Sequence, residues 1–557
     1  MRRMTWLIGA AALAGTIVSS AQAGSPSQAG NEQHRGGTMR LLSVAAGGTL
    51  DPQINYTLQY WQLYQSMYDG LVTFKHAKGS EGFTIVPDLA EEMPKAEDGG
   101  KTYVFKLRKG IKFSNGQELT VKDVVASFQR IFKISGPTSG TFYNLIVGAD
   151  ACLKTAATCT LDGGVVADEA ANTVTFHLTK PDAEFFDKLA VPHAVILPAS
   201  TEAKDQGNAP IPGTGAYMAA SYDPNKQLKL VRNPNFVEWS KDAQPDGYPD
   251  EIHYDFGLTE EAEITAIQNG QADWTLDPPP TDRLGELGSK YKDRVFINTL
   301  TAMYYLPMNT NIPPFNNVKA RQAVNYAIDR NAVVKLFGGT KLAAPACQIL
   351  PPGFPGYEPY CPFTKNPGEK WTAPDLAKAK QLVKESGTAG QKVTIIVEDI
   401  AVNRSIGVYM QSVLKKIGYD ASVKAISQNL QFTYIQNTKN KVQISLSEWY
   451  QDYPAASDFL NVLFGCDSFH PESDNSVNIA GYCDKAVDAK MKDASATGIT
   501  DDAAANKKWA QIDKDVTDAA AAAVLFTPKH VDFISKRVGN FQFNGQYYWV
   551  ITQSWVQ

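Results

Sequence analysis

The chain has 557 residues, of which 43% are hydrophobic and 20% charged, with a formal net charge of -5. At 60.8 kDa it exceeds what one hydrophobic core usually serves, so at least two domains are expected. A pI near 5.9 and a mean hydropathy of -0.26 leave no basic field for phosphate-driven nucleic-acid binding, and no apolar run after the N-terminal region is long enough to span a membrane.

Taken in chain order, Arg2 and Arg3 precede an apolar stretch at 6–18 that closes on Ala21-Gln22-Ala23. This predicts a signal peptide over 1–23, cleaved before Gly24; the rival reading, a membrane anchor, needs a longer stretch. No cysteine follows the cleavage site, so a lipoprotein is not expected, and the residues around the arginine pair do not complete a twin-arginine signal. Residues 24–36, rich in Gly, Ser, Gln and Asn, read as a flexible tether.

From Gly37 onward, alternating strands at 38–44, 102–108, 173–178 and 227–232 are interleaved with helical stretches, a mixed α/β pattern. At 122–132, Val124, Val125, Phe128, Ile131 and Phe132 share one helical face. A single packing helix is likewise expected over 318–337, with Ala323, Val324, Ala327, Ile328 and Val334 inward. A helix from Asp375 stops at Gly387. Strand 393–397, helix 405–417 ended by Gly418, and strand 421–425 then have βαβ grammar. Proline-dense 278–280 and 350–362 read as surface loops.

Six cysteines form three local couples: Cys152 with Cys159, Cys347 with Cys361, and Cys466 with Cys483. In an exported chain they are expected as disulfides, each worth about 2–3 kcal/mol in the chain-entropy account, although spacing leaves their connectivity open. The rival is a metal site, against which there is no C-x-x-C and no Cys/His cluster. The seven histidines, His34, His76, His177, His193, His253, His470 and His530, are scattered. With no H-E-x-x-H, G-x-S-x-G or P-loop, no catalytic residue, metal or cofactor is assigned; a secreted hydrolase is the discounted alternative.

The motifs Gly48-Thr49-Leu50-Asp51-Pro52, Tyr68-Asp69-Gly70-Leu71-Val72 and Phe105-Lys106-Leu107-Arg108-Lys109-Gly110-Ile111-Lys112-Phe113-Ser114-Asn115-Gly116 open a series. It continues through Gly213-Thr214-Gly215-Ala216-Tyr217, Arg232-Asn233-Pro234-Asn235-Phe236, Pro314-Phe315, Arg321-Gln322-Ala323-Val324-Asn325-Tyr326-Ala327-Ile328-Asp329-Arg330 and Trp449-Tyr450-Gln451-Asp452-Tyr453-Pro454. In this order they resemble the dipeptide- and oligopeptide-binding proteins of ABC importers, the extracytoplasmic solute-binding protein family 5.

The resemblance implies an α/β, two-lobed, periplasmic-binding-protein type II-like fold with an extra subdomain inserted in lobe one. Lobe one is expected from 37–55, 180–298 and 527–557, the inserted subdomain from 56–179, and lobe two from 299–526, with hinges near 298–305 and 526–530. It also implies a periplasmic monomer that captures a small-molecule ligand, a di- or oligopeptide, in the cleft for the importer's permease and ATPase subunits.

In peptide-binding relatives the aspartate of W-x-x-D-Y receives the ligand's α-ammonium group, and Asp452 holds that place. The chemistry is sound, because a buried cation needs an anionic partner; capping a turn before Pro454 is the alternative role. Trp449, Tyr450 and Tyr304 offer flat faces for stacking, with core packing an equal alternative for Trp449. Tyr56 and Tyr143 join them by approximate position. Thr214 and Gly215 offer a hydroxyl and an amide to a ligand carboxylate, and Gly213 and Gly215 permit close backbone approach. Arg321 and Arg330 flank a helix, to pair with carboxylates or, for at least one, to sit as solvated charge.

Two departures limit the carry-over: Tyr450 stands where some relatives place a cysteine, and Leu446 where an oligopeptide-binding relative carries an arginine. A nickel chelate, haem, an opine or an oligosaccharide are the alternative solutes within the family.

Overall fold

Met39 and Leu41 alternate inward along Thr38–Ser43, which makes that segment a sheet strand rather than a helix. It pairs in parallel with Glu251–Phe256 on one side and Trp274–Thr275 on the other. Gln227–Arg232 and Tyr217–Asp223 extend the sheet antiparallel, giving five strands and the framework of the first lobe. The computed structural model describes residues 34–557. The signal-peptide reading and most of the tether therefore lie outside the described residues.

The tether's last residues are docked, not free. His34 stacks on Trp555 with ring centroids 4.0 Å apart, Arg35 pairs with Asp246 at 3.0 Å, and the Gly36 amide donates to the Tyr248 carbonyl at 2.9 Å. This corrects the expectation for 34–36: composition carries no information about an aromatic partner at the other end of the chain.

Strands Ala96–Glu97, Thr102–Lys106, Thr173–His177 and Val165–Asp168 form a separate four-stranded antiparallel sheet. Helix Val121–Lys133 covers it with Val124, Phe128, Ile131 and Phe132, the face its periodicity predicts. Arg130 of this helix reaches Asp51 Oδ1 at 3.1 Å and Gln53 Oε1 at 2.9 Å, so the Gly48 to Pro52 motif ties this subdomain to the first lobe. Helix Leu58–Met67 packs on the first-lobe sheet through a 2.8 Å Tyr60–Tyr222 hydroxyl contact, although the sequence reading groups it with the insertion.

In the second lobe Lys392–Glu398 and Asp420–Ile426 run parallel with helix Ala401–Ile417 between them, and Ile444–Ser445 adds the third strand. Gly387 and Gly418 end their helices in the left-handed region at φ 68° and 112°. The stretch expected as one helix over 318–337 is two, Val318–Ala327 and Arg330–Phe337. Ile328 is extended, and the Asp329 carboxylate caps the second helix by accepting from the Asn331 and Ala332 amides at 3.0 and 3.2 Å.

Arg321 and Arg330 are both buried and, among the described residues, form no ion pair with a carboxylate, against expectation. Arg321 donates to the carbonyls of Phe315 and Ala519 at 2.8 Å, and Arg330 to those of Ala346 and Val524 at 2.8 Å. Their fork of donors ties together carbonyls from separate segments.

The long strand Ala522–Phe533 belongs to both lobes. Its first half pairs with Ala302–Pro307 and its second half with Val295–Thr299. The crossing between lobes therefore lies at 299–302 and 526–529. All three cysteine couples are disulfides, with Cα separations of 4.5, 5.0 and 4.6 Å. Among the described residues, no helix is long and apolar enough to cross a membrane.

Candidate functional site

Between the lobes, beside the crossing strands, lies a cavity of about 350 Å³, within the range of small-molecule sites. Strand Ser447–Tyr450 forms part of its wall. It pairs antiparallel with Ala302–Tyr305, so Trp449 lies opposite Met303, Glu448 opposite Tyr304 and Tyr450 opposite Ala302. The chain leaves this strand through Gln451, whose amide donates to the Thr301 carbonyl at 3.0 Å, and so delivers Asp452 to the cavity.

Asp452 is held from both lobes. Its carboxylate accepts a hydrogen bond from the Tyr56 hydroxyl, its carbonyl accepts from the Gln546 side chain, and its amide donates to Asp458 at 2.9 Å. Tyr56 is wedged by Trp61, His193 and Trp449, with ring centroids at 5.3, 4.8 and 5.6 Å. Burial pushes the Asp452 carboxyl up to about 7, against the lowering effect of hydrogen bonding to Tyr56 and Asp458. Burial, and then the charge of Asp452, raise Asp458 further. Burial and mutual repulsion therefore disfavour two charges on this pair. No Lys, Arg or His of the described residues contributes to holding either charge, so Asp452 is a buried anion lacking a cation.

Tyr304 stacks on Phe526 at 4.7 Å and brings its hydroxyl 3.4 Å from that of Tyr450, whose ring meets Tyr548 edge-on at 5.9 Å. These tyrosines carry the wall to a second acidic region formed by Glu448, by Glu398 at the end of Lys392–Glu398, and by Asp277 from the first lobe. Burial raises all three carboxyls; for Glu398 the charges of Glu448 and Asp277 add to it, and Glu448 reaches about 7. The basic side chains of the lining are Lys529 and His530. His530 is held by Asp532 at 3.0 Å; burial opposes its charge, but Asp532 wins and raises its pKa.

Of the expected site residues, Asp452, Trp449, Tyr450, Tyr304 and Tyr56 line one cavity. Tyr143, Thr214 and Gly215 do not. Tyr143 is buried with its hydroxyl donating to the Lys188 carbonyl at 2.9 Å. Thr214 is buried and donates to Asp69 at 2.5 Å. Gly215 abuts helix Leu58–Met67 so closely that a Cβ would stand 2.5 Å from the Ser66 carbonyl oxygen. The Gly213 to Tyr217 motif is thus a packing joint.

Sequence reasoning missed Asp277, Glu398, Glu448, Lys529 and His530. Glu398 had a legible signal, the carboxyl end of a parallel strand in a βαβ unit, where α/β sheets place ligands. Asp277 sat beside prolines read as surface loop, yet Pro278 and Pro279 face the cavity.

Residues 84–470 match the family model described as bacterial extracellular solute-binding proteins, family 5 Middle. The glutathione-binding protein GsiB of Salmonella choleraesuis (strain SC-B67) is 28% identical over 468 residues, covering 82% of this chain and 83% of the relative. The periplasmic oligopeptide-binding protein OppA of Escherichia coli (strain K12) is 24% identical over 476 residues, covering 82% and 81%. In fold, the chain is similar to the periplasmic binding protein DppA from Helicobacter pylori in complex with peptide STSA, with a TM-score of 0.79 at 20% identity over 95% of this chain and 99% of that one. With well over half its length matched by the family model around a two-lobed cleft, the chain belongs to the bacterial extracellular solute-binding proteins of family 5.

Proposed function

We propose that this chain is the periplasmic solute-binding component of an ABC importer and that its solute is a short peptide whose α-ammonium group is held by Asp452. The observation that carries the reading is the buried Asp452 carboxylate, which lines the inter-lobe cavity with no cation beside it. A ligand ammonium supplies that cation and forms a charge-assisted hydrogen bond. Tyr56 holds the carboxylate and Gln546 the backbone carbonyl of Asp452 in place before the ligand arrives. Trp449, Tyr304 and Tyr450 then offer faces to side chains of varied shape. Lys529 and His530 are the basic groups available to the ligand carboxylate.

That GsiB is a glutathione-binding protein and OppA a periplasmic oligopeptide-binding protein supports the peptide reading, and the periplasmic place of OppA supports export by the segment 1–23. The work done is binding, without covalent chemistry: ligand favours the closed arrangement by its greater affinity for it, and permease and ATPase subunits complete transport. Mass spectrometry of solute released from natively purified protein is expected to find short peptides, and calorimetry is expected to find di- or tripeptide binding that Asp452→Asn abolishes. Peptide binding unaffected by Asp452→Asn would overturn the role of Asp452; a non-peptide solute would overturn the ligand class.

A further inference from the structure

Several buried carboxylates elsewhere in this chain have a cation beside them, and others, such as Asp69 and Asp513, are satisfied by two or more neutral donors. Asp51 has Arg130, Asp182 has Lys188 at 2.8 Å, and Asp273 has Arg537 at 3.3 Å. The second acidic region of the cavity does not follow that pattern. Asp277 projects from the first lobe, and Glu398 and Glu448 from the second. None of the three has an ion pair with a described Lys or Arg; His530, held chiefly by Asp532, also feels the charge of Asp277, but no such cation stands by Glu398 or Glu448. Their hydrogen-bond partners are neutral: Asp277 accepts from the Val44 amide at 2.8 Å, and Glu398 accepts from the Asn403 side chain at 3.2 Å.

The polar atoms around them ask for the same thing. Gln451, 7% exposed, lines the cavity with its Oε1 unpartnered, and so does Tyr548, 4% exposed, with its hydroxyl unpartnered. Tyr548 is also held at φ 65°, a left-handed conformation a bulky residue rarely adopts and one that clusters at ligand sites. Two carboxylates of one lobe and one of the other therefore line the same cavity as these unpartnered atoms, near enough for the charges of Glu448 and Asp277 to act on Glu398. Like charges across a cleft oppose its closure, and a cation between them reverses the sign. An ammonium or guanidinium group carried on a flexible side chain is a cation that carboxylates of this kind pair with.

We infer that Glu398, Glu448 and Asp277 form a second cation subsite, so that the preferred solute is a short peptide carrying a basic side chain near its ammonium terminus. The inference rests on the peptide reading of Asp452 and deepens it. Glu448 and Asp452 are four residues apart in the sequence, at most about 13 Å along an extended strand. A lysine or arginine side chain on one of the first residues of a peptide bridges such a distance.

The test is calorimetry on full-length mature protein freed of solute by denaturation and refolding. The probes are Lys-Ala-Ala, Ala-Lys-Ala and Ala-Ala-Lys, each against its counterpart with norleucine in place of lysine. At least one lysine peptide is expected to bind tenfold or more tighter than its norleucine counterpart. In the double variant Glu398→Gln/Glu448→Gln that ratio falls to within about threefold of unity, whereas Asp452→Asn weakens both members of each pair. If norleucine peptides bind and no lysine peptide exceeds its counterpart, the second subsite is overturned and the peptide reading stands.

If no peptide binds, 1,5-diaminopentane is compared with n-pentylamine. A preference for the diamine that the double variant loses retains the subsite and overturns the peptide reading. No such preference overturns both.

Discussion

Two buried carboxylate pairs in this protein look alike until their surroundings are compared. Asp69 and Asp88 sit in the first lobe, and burial raises both, Asp69 to about 6. Asp69 accepts from Thr214 at 2.5 Å and from Gln244 at 2.6 Å, and Asp88 accepts from Trp239 at 3.0 Å. Neither carboxyl lines the inter-lobe cavity; three side-chain donors converge on them, and the pair is a structural knot. Asp452 and Asp458 carry the same signature of burial, but one of their number opens on the inter-lobe cavity. A perturbed carboxyl therefore does not by itself mark a binding site in this fold. What separates the pairs is that Asp452 opens on the inter-lobe cavity and neither Asp69 nor Asp88 does.

The largest expected effect of breaking that distinction is on the structural side. Asp69→Ala strands the Thr214 hydroxyl and the Gln244 amide and is expected to cost about 3 kcal/mol in chemical denaturation. Peptide affinity of the folded fraction should hardly change; a loss of affinity with unchanged stability would make the knot a site.

Asp452→Asn is expected to do the reverse, weakening peptide binding about a hundredfold or more in calorimetry while retaining the cooperative unfolding transition. A pH series sharpens the contrast. Because the Asp452 carboxyl is pushed up to about 7, the anion that holds an ammonium is present above that pH and lost below it. Affinity for a tripeptide is thus expected to fall about tenfold per unit as pH drops from 7 to 5. A flat profile would show that the charge of Asp452 is not used.

The smallest effect concerns stability without ligand. Glu448, pushed up to about 7, binds its proton more tightly in the folded chain than in the unfolded one, where a glutamate titrates at about 4.3. Its contribution is present below that window and is lost as pH rises through it. Ligand-free Glu448→Gln protein is expected to melt roughly 2 °C above the parent at pH 8 and level with it at about pH 4. Equal melting at both pH values would mean that water relaxes the charge.

Much of this was legible in the chain itself. Hydrophobic periodicity marked the strands at 38–44 and 227–232 and the βαβ unit, because a face that must be buried leaves its period in the sequence. The three cysteine couples were near enough in sequence to close locally, and they do. Asp452 was legible only through a motif; its neighbour Glu448 was not, since a glutamate on an alternating strand reads equally as a solvent face.

The expected roles of Tyr143, Thr214 and Gly215 could not be checked by period or spacing. Thr214 meets Asp69, and Gly215 the end of helix Leu58–Met67, across more than a hundred residues.

The sequence thus determined the local elements, the disulfide couples and the carboxylate most exposed to family comparison, all of which depend on neighbours along the chain. Only the tertiary structure decided which buried acids have donors and which face an empty cavity. That depends on the crossing of Ala522–Phe533 between lobes, which sets Asp277 of one opposite Glu398 and Glu448 of the other. Charge balance at a cleft is a property of two surfaces, and neither surface is written in one segment.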